Sequence, residues 1–385
     1  MSMRVLFSTT PAFGHFLPLL PLARAFRRQG HDVAVVTAVG MTPLISPEGF
    51  ELLAAGPMPD ALFAEVGRKL GINPATEPTP EAVAEFFAGV RIDLTADEAI
   101  AQAKRWQPDL IINEMVDFVG PLVATSLDVP LATVAFGPSV PAEFTDALTA
   151  TARPRYEERG LPAPAGTPSG RWLLDTCPPG LQFPDFAVPS GMERIALRPE
   201  PHQAADALAG VGTPQAGGRP RVLVSFGTVF ADPAVVGPLL GALTALDVDV
   251  VATLGLDGKP EDYQLDSDRV EFSPFVPLAQ LLENVDAVIT HGGAGTTLGT
   301  LARGIPMVVV PQGADQFFQA DRVAASGAGL ALMPGQADPA AIAAALRRLL
   351  DEPTFTAEAR RISAEVAAMP TPDQVVERLR AEVAG

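Results

Sequence analysis

The sequence predicts an α/β protein with two doubly wound domains, each built on a parallel sheet. Its 385 residues exceed what one hydrophobic core usually supports, and hydrophobic residues make up 48% of the chain, which is enough for two cores. Apolar runs typical of strands alternate with helical patterns in both halves, as in parallel sheets covered by helices. Between the halves, residues 210–220 have no apolar periodicity, which indicates a linker.

The first half opens with a Rossmann-like strand, helix and strand. Residues 4–8 form an apolar run, residues 16–29 have helical periodicity, and residues 33–37 are predicted as the next strand. The loop between the first strand and the helix lacks Gly-x-Gly-x-x-Gly, so no dinucleotide site is predicted. Two further strands are predicted at residues 109–113 and 131–136.

The second half repeats this series. Its strands are predicted at residues 221–226, 249–254, 270–272, 285–290 and 306–310. Consecutive parallel strands are joined by right-handed helical crossovers, so the loops that follow these strands open at one edge of the sheet. Proline and glycine are frequent from residue 153 to residue 189, where we expect only short helices.

Composition excludes several classes of partner. A formal net charge of −18 leaves no basic face for nucleic acid, and an anionic membrane would repel the chain. Cys177 is the only cysteine, so no intrachain disulfide is expected. Proline, glycine and histidine interrupt the N-terminal apolar run, and no apolar stretch is long enough to span a bilayer. We therefore expect a cytoplasmic protein that has neither a signal peptide nor a membrane span.

Two loops in the second half have the composition of ligand-binding loops. The first, His291-Gly292-Gly293-Ala294-Gly295, stands between a predicted strand and a predicted helix. Glycines leave the N–H groups at such a helix start accessible, and the helix dipole favours an anion there. The second loop contains Asp315 and Gln316 and follows the next strand. This pair of loops suits a ligand with an anionic middle and a hydroxyl-rich end, such as a nucleotide sugar.

The pattern His-Gly-Gly-x-Gly-Thr, followed about twenty residues later by Asp-Gln, resembles the nucleotide-sugar signature of inverting GT-B glycosyltransferases. The bacterial enzymes that decorate natural products, antibiotics among them, are the most similar members. The resemblance covers nearly the whole chain and implies two Rossmann-like domains that face each other across a ligand cleft. It implies an acceptor-binding domain at residues 1–209, a linker at 210–220, a nucleotide-sugar-binding domain at 221–371, and a last helix within 372–385 that crosses back to the first domain.

The resemblance also implies which residues bind the donor. His291 would contact the phosphates, while Gly293, Gly295 and Thr296 would hold the pyrophosphate. Asp315 and Gln316 would bind sugar hydroxyls. Further contacts are assigned to Ser225, Gly227 and Thr228 at the distal phosphate and sugar, and to Phe275 and Val276 at the nucleobase. For Phe275, a place in the core is the alternative.

His15 is the predicted general base. The pattern Gly14-His15-x-x-Pro18 resembles the N-terminal motif of the family, in which the histidine removes the acceptor proton. Glu114 follows a predicted strand and would fix the tautomer of His15, although the family often has aspartate there. Asp117 is the reserve candidate. The alternatives are a structural role for His15 and a solvent-facing Glu114.

Acceptor contacts are assigned to aromatic residues of the first domain. The segment from residue 56 to residue 106 is rich in proline and then helical, and a cavity beneath it would be lined by some of its apolar side chains. Most of those side chains are expected in the core. The residues assigned to the acceptor are Phe13, Phe63, Phe86 and Phe136.

No metal or other cofactor is predicted besides the co-substrate, a nucleotide diphosphate sugar. The Asp-x-Asp strings at residues 247–249 and 266–268 lie in turns and are not expected to bind a cation. We predict an inverting, metal-independent hexosyltransferase that moves a (deoxy)sugar from a dTDP-linked donor to a small apolar aglycone, as a monomer or homodimer. A UDP-linked donor stays open. The alternatives are a nucleotide-sugar epimerase or hydrolase of the same fold, and a noncatalytic auxiliary protein that binds a nucleotide sugar.

Overall fold

The computed structural model describes residues 2–72, 79–203, 218–227, 232–255, 258–263, 265 and 267–383. The chain divides into two compact units. The first contains Met1–Thr176, Asp185–Arg198 and Pro370–Gly385, and the second contains Cys177–Pro184 and Pro199–Met369. Each unit has its own parallel sheet with helices around it, so the prediction of two Rossmann-like α/β domains is confirmed. Most of the predicted linker, residues 210–217, lies outside the described residues.

The sheet of the first unit, over the residues that the structure describes, has the order β3-β2-β1-β4-β5-β6-β7, and every pairing in it is parallel. Its strands are β1 (Arg4–Ser8), β2 (Asp32–Thr37), β3 (Glu51–Ala54), β4 (Leu110–Glu114), β5 (Leu131–Ala135), β6 (Trp172–Asp175) and β7 (Glu193–Ala196). The central strands β1 and β4 are almost wholly buried, as expected for strands covered on both faces.

Helices of the first unit surround this sheet. They are α1 (Phe13–Phe16), α2 (Leu20–Arg28), α3 (Thr42–Ile45), α4 (Pro59–Leu70), α5 (Pro80–Ala84), α6 (Arg91–Trp106), α7 (Val119–Leu127) and α8 (Ala142–Glu157). Single 3₁₀ turns occupy Leu17–Leu19, Val39–Met41 and Ser46–Glu48, and a π-helical turn, Glu85–Val90, joins α5 to α6.

The sheet of the second unit, within its described part, has the order β10-β9-β8-β11-β12-β13 and is parallel throughout. Its strands are β8 (Arg221–Ser225), β9 (Asp249–Thr253), β10 (Val270–Ser273), β11 (Ala287–Thr290), β12 (Met307–Val309) and β13 (Gly329–Ala331). Its helices are α9 (Pro233–Leu243), α10 (Leu278–Leu281), α11 (Ala294–Ala302), α12 (Gln316–Ala325), α13 (Pro339–Asp351) and α14 (Pro353–Ala368), with a 3₁₀ turn at Pro260–Tyr263.

The final helix, α15 (Pro372–Val383), belongs to the first unit and packs on α2. There Arg28 forms an ion pair with Asp373, and Trp172 donates a hydrogen bond to Glu382. No helix among the described residues is long and apolar enough to cross a membrane.

A short segment of the chain between β6 and β7 packs in the second unit. Cys177 and Leu181 are fully buried in a cluster with residues of β8, β11 and α14. The guanidinium of Arg322 on α12 donates hydrogen bonds to the carbonyls of Leu181 and Gln182. The predicted first domain spans residues 1–209, whereas residues 177–184 belong to the second unit.

The sequence pattern missed two strands in and just after the region rich in proline and glycine. The expectation of only short helices at residues 153–189 agrees with the described structure, in which α8 enters this region only for residues 153–157, with Pro154 in its last turn. Strands β6 and β7 were not predicted, since each has only 4 residues and such runs show no clear periodicity. The predicted strands that form the centres of both sheets are confirmed, with ends that differ by at most two residues.

Candidate functional site

His15 lies in α1, a single turn that follows β1 at the carboxyl edge of the first sheet. Strand β4 pairs with β1 in parallel, with Ser8 opposite Asn113, so both strands end at this edge. Glu114, the last residue of β4, therefore points a fully buried carboxylate at the imidazole. Nδ1 of His15 is 3.0 Å from Oε1 of Glu114, and the side chain of His15 keeps 26% of its surface exposed.

Backbone groups fix the carboxylate of Glu114. The N–H of Val116 donates to its Oε2 at 2.8 Å, and the N–H of Thr10 donates to its Oε1 at 3.4 Å. Burial acts to raise the pKa of Glu114, but the neighbouring His15 and these hydrogen bonds outweigh burial and lower it. An ionised Glu114 accepts the proton of Nδ1, which leaves the lone pair of neutral His15 on Nε2. That tautomer can accept a proton from a ligand.

Asp117, the reserve candidate, has other partners. Its Oδ2 accepts hydrogen bonds from the hydroxyl of Ser8 and from the N–H of Gly120, while its Oδ1 is 3.6 Å from Nη2 of Arg91. Burial raises the pKa of Asp117, although the charge of Arg91 opposes this rise. Of the two carboxyl groups considered from the sequence, Glu114 is the one hydrogen-bonded to His15.

Arg91 was not singled out in the sequence, yet it is fully buried beside these carboxylates. Its Nη2 donates to the carbonyl of Thr9, and its Nη1 donates to the hydroxyl of Thr95. The signal was an arginine on the buried stripe of α6, which continues through Ile92, Thr95, Ala96 and Ala99. A charge at such a position needs a specific partner inside the protein.

Aromatic side chains of the π-helical turn approach His15. The ring of Phe87, which was not among the assigned acceptor residues, is 5.7 Å from the imidazole of His15 and half-buried. Phe86 is instead buried and stacks on Phe63 at 4.6 Å. A π-helical turn places consecutive residues differently from an α-helix and is frequent at functional sites.

The other assigned acceptor residues lie at the same sheet edge. Phe13 is half-buried in α1, two residues before His15. Phe136 directly follows β5 and is buried, with 8% of its surface exposed. The acceptor roles of all four assigned residues stay predictions.

In the second unit, the glycine-rich loop leads into α11. Gly293 is the N-cap of this helix and has no side chain with which to cap it. The first N–H groups of a helix lack intrahelical acceptors, and here they belong to Ala294, Gly295 and Thr296. Gly295 is exposed, and no atom lies within 4 Å of the place that a Cβ on it would occupy. This helix start can therefore accept an anion.

His291 lies beneath this helix start, with 9% of its surface exposed. Burial lowers the pKa of His291 to about 4, so its imidazole is neutral at pH 7. Nδ1 is 3.5 Å from the carbonyl oxygen of Ser225 and 3.4 Å from Oγ1 of Thr290. The opposite edge of the ring, with Nε2 and Cε1, faces Gly293 and Gly227.

The loop after β12 holds Asp315 and Gln316 at the start of α12. Oε1 of Gln316 accepts hydrogen bonds from the N–H groups of Gln312 and Gly313, so the predicted contact with sugar hydroxyls would use its amide nitrogen. Ala314 has a φ of 54°, a left-handed conformation that is uncommon for alanine. It turns the chain sharply just before Asp315.

The remaining donor residues lie along the carboxyl edge of the second sheet. Ser225 ends β8 and is buried, and its Oγ accepts a hydrogen bond from Thr253. Gly227 follows with a φ of 70°, whereas Thr228 lies outside the described residues. Phe275 follows β10 and has 44% of its surface exposed, and Val276 is half-buried. An exposed aromatic ring at this edge offers a face on which a base can stack.

The first Asp-x-Asp string, residues 247–249, lies at the opposite edge of the sheet from the glycine-rich loop. Asp249 is the first residue of β9, at the amino edge of the sheet, and both Asp249 and Asp247 form ion pairs with Arg219. Asp266 lies outside the described residues. Within the described ranges, no three side chains of His, Cys, Asp or Glu are grouped closely enough to hold a metal ion.

Comparisons with known proteins cover both units. Residues 24–227 match the family model of the N-terminal domain of erythromycin biosynthesis protein CIII-like proteins, and residues 238–382 match that of their C-terminal domain. The L-demethylnoviosyl transferase of Streptomyces niveus is 34% identical over 99% of this chain and 98% of its own length.

Solved structures of glycosyltransferases resemble the chain over its whole length. SsfS6 of Streptomyces sp. SF2575, complexed with thymidine diphosphate, has a TM-score of 0.80 and 28% identity, over 98% of this chain and 99% of its own. The spinosyn rhamnosyltransferase SpnG, also complexed with thymidine diphosphate, has a TM-score of 0.80 and 27% identity, over 98% and 100%. The chain therefore belongs to the erythromycin biosynthesis protein CIII-like family and is a glycosyltransferase of the antibiotic-biosynthesis type.

Proposed function

We propose that this glycosyltransferase moves a (deoxy)sugar from a dTDP-linked donor to a hydroxyl group of a small apolar natural-product aglycone, with inversion at the anomeric carbon. The observation that carries the proposal is the hydrogen bond of 3.0 Å between Nδ1 of His15 and the buried carboxylate of Glu114. A carboxylate on Nδ1 fixes the tautomer that has a basic Nε2 and stabilises the imidazolium that forms during proton transfer.

The proposed reaction is a single displacement. Nε2 of His15 takes the proton of the acceptor hydroxyl as the oxygen attacks the anomeric carbon from the face opposite the nucleotide. The bond from the anomeric carbon to the phosphate oxygen breaks, and the nucleoside diphosphate leaves with the bonding electron pair. Attack from the opposite face inverts the configuration. The proton stays on His15, whose new positive charge Glu114 balances, until the acceptor product departs.

The donor would be held by the second unit without a metal ion. The N–H groups that begin α11 would receive the diphosphate, and the helix dipole favours its negative charge. Asp315 and Gln316 would bind the sugar, and Phe275 would stack on the base. A dTDP-linked donor is supported by SsfS6 and SpnG, whose structures contain thymidine diphosphate.

Substitution His15→Ala tests the proposal. Transfer to an aliphatic alcohol acceptor should fall by a factor on the order of 10²–10⁴, the usual contribution of a general base. Affinity for free dTDP, measured by calorimetry, should stay within about twofold of the wild type, because His15 and the donor loops belong to different units. Residual transfer within about threefold of the wild type would reduce His15 to a structural role.

A noncatalytic nucleotide-sugar-binding protein is the alternative that this experiment also addresses. Such a protein would bind the donor without turnover, whichever acceptor is supplied. Incubation of the wild type with a panel of nucleotide sugars and aglycones, read by mass spectrometry, separates the two functions. A glycosylated product that requires His15 supports transfer, whereas free sugar with every acceptor would indicate a hydrolase.

A further inference from the structure

A buried charge lies behind the pair of His15 and Glu114. Arg91 begins α6, and its side chain is 0% exposed, like those of Glu114 and Asp117. A buried guanidinium is costly unless nearby anions and hydrogen-bond acceptors offset the lost hydration. Its location next to two carboxylates of the site calls for a physical explanation.

Hydrogen bonds join Arg91 to the loop that leads to His15. Nη2 donates to the carbonyl of Thr9 at 2.9 Å. The next residue, Thr10, turns its N–H toward Oε1 of Glu114 at 3.4 Å. Arg91 thus holds the peptide segment that contacts the carboxylate under His15, and its second bond, to Thr95 at 2.8 Å, anchors the guanidinium to its own helix.

The contact between Arg91 and Asp117 is ionic but loose. Nη2 and Oδ1 are 3.6 Å apart, beyond ordinary hydrogen-bond distance. Among the described residues, Oδ1 of Asp117 and Nε of Arg91 have no hydrogen-bond partner, although both atoms are buried. The arginine therefore acts on the carboxylates mainly through electrostatic attraction, which is stronger in the protein interior because the polarity is low there.

The formal charges around His15 can be counted. With Glu114 and Asp117 both ionised, the two carboxylates contribute two negative charges and Arg91 contributes one positive charge, so the cluster has a charge of −1 when His15 is neutral. Tyr156 of α8 also lies near Asp117, but burial raises its pKa and keeps it neutral. When His15 takes a proton, the cluster becomes neutral. Without Arg91 the cluster would start at −2 and would retain protons at higher pH.

We propose that Arg91 is a positioning residue for the transfer reaction. Its positive charge sets the electrostatic potential around His15 and Glu114, so that His15 is neutral before the acceptor binds and protonated after attack. This inference rests on the proposed function of His15 as general base. It assigns a role to Arg91 through its charge and through the carbonyl of Thr9, without contact with substrate.

The test is the pH dependence of kcat/KM with an aliphatic alcohol acceptor, and specifically the acid limb, where protonation of His15 lowers the rate. Arg91→Gln keeps hydrogen-bond donors but removes the charge, so the acid limb should move to higher pH by about one unit. Arg91→Lys keeps the charge, and its acid limb should stay within about 0.3 unit of the wild type. Asp117→Asn should move the limb to lower pH.

The double variant Arg91→Gln with Asp117→Asn removes one charge of each sign. Its acid limb should move back toward that of the wild type, because the two charges that are removed have opposite signs. It should also lie about one unit above that of Asp117→Asn alone, and this comparison tests the charge of Arg91 even where the single variant does not fold. Arg155→Gln is the matched control, since Arg155 pairs with Asp93 and Glu85 and has no contact with the cluster in the described structure. Its acid limb should be that of the wild type.

The outcomes distinguish this inference from the function on which it rests. The role of Arg91 would be overturned if the acid limbs of Arg91→Gln and the wild type coincide while dTDP affinity and circular dichroism are unchanged. The same holds for coincident limbs of the double variant and Asp117→Asn. If His15→Ala instead transfers sugar at a wild-type rate, the proposed function itself fails, whatever the Arg91 variants do.

Discussion

The imidazole of His291 occupies the space that a side chain on Gly293 would need. A Cβ on Gly293 would lie 2.7 Å from Nε2 of His291, and a Cβ on Gly227 would lie 2.8 Å from Cε1 of the same ring. The ring is buried, so it has little room to move away. The position of the histidine ring therefore requires glycine at both places.

Gly293→Ala should lower the free energy of unfolding by about 1–3 kcal/mol, the usual cost of forcing atoms into a filled site. The backbone of Gly293, with a φ of −60°, accepts alanine without strain. Because alanine is also a poorer N-cap than glycine, a loss above about 1 kcal/mol would report the contact with His291. Gly295→Ala is the control. Its Cβ would meet no atom, and alanine is better than glycine in a helix by about 0.5–1 kcal/mol. Urea unfolding of both variants gives the comparison, and equal stability would contradict the role of the ring.

Acid should destabilise the ligand-free protein through His291. Burial lowers the pKa of His291 from its ordinary value of 6.5 to about 4 in the folded state. Between these values the unfolded chain binds a proton that the folded chain does not. The contribution to stability is therefore complete above about pH 6.5 and is lost as pH falls toward 4.

The size of this effect is roughly 2 kcal/mol between pH 7.5 and pH 5, from about 1.4 kcal/mol per pKa unit. Urea unfolding of the wild type and of His291→Asn at both pH values measures it. His31 also has a lowered pKa because of burial, so the wild-type loss contains both histidines, and the difference between the two proteins isolates His291. An identical loss in both would show that His291 is not responsible.

Glu114→Gln should lower kcat for an alcohol acceptor by a factor on the order of 10²–10⁴, because the amide cannot stabilise the imidazolium and favours another tautomer of His15. The dissociation constant of dTDP should be unchanged. Glu114→Asp keeps the charge and is the control, with a smaller loss expected from the greater distance to Nδ1. A wild-type kcat for Glu114→Gln would leave Glu114 as a structural carboxylate.

Asp315→Ala should reduce affinity for the nucleotide sugar by about 10–100-fold, the value of a hydrogen bond to a charged group. Free dTDP should bind nearly as before. Asp315 is the N-cap of α12 and makes no capping hydrogen bond with its side chain, but its Oδ2 accepts a hydrogen bond of 3.3 Å from Nε2 of Gln319, so circular dichroism should check the fold of the variant. Calorimetry with donor and with dTDP gives both affinities. Equal losses for the two ligands would show that Asp315 does not bind the sugar.

With EDTA the transfer rate should stay within about twofold of the rate without EDTA, because the N–H groups that begin α11 are proposed to hold the diphosphate charge. The assay compares dialysed protein with and without added magnesium or manganese. If EDTA abolishes activity and either cation restores it, a metal ion must instead bind the diphosphate of the donor.

The central elements of both sheets were predictable because their strands are apolar and their loops contain glycine or proline. The positions of His15, Glu114 and the glycine-rich loop at strand ends follow from the parallel topology alone. Peripheral strands such as β6 and β13 were not predictable, since they have 4 and 3 residues and depend on pairing with a neighbour.

Arg91 shows what the pattern of one sequence does not reveal. It is separated by more than twenty residues from Glu114 and Asp117, and only the packing of α6 against the loop after β1 brings the three together. The position of Phe87 next to His15 was not predictable either, because it depends on the π-helical turn whether Phe86 or Phe87 approaches His15. A regular α-helix would have presented these rings differently.

The segment at residues 177–184 determines at which positions a hybrid of this chain and a related enzyme should be joined. A hybrid enzyme joined at residues 210–220 would take Cys177 and Leu181 from one parent and the core that surrounds them from the other. It would separate α15 from its partner α2 in the same way. Exchange of donor specificity between relatives is therefore best made with five segments. Residues 177–184 and 199–369 would come from the parent that supplies the donor site, and residues 1–176, 185–198 and 370–385 from the parent that supplies the acceptor site.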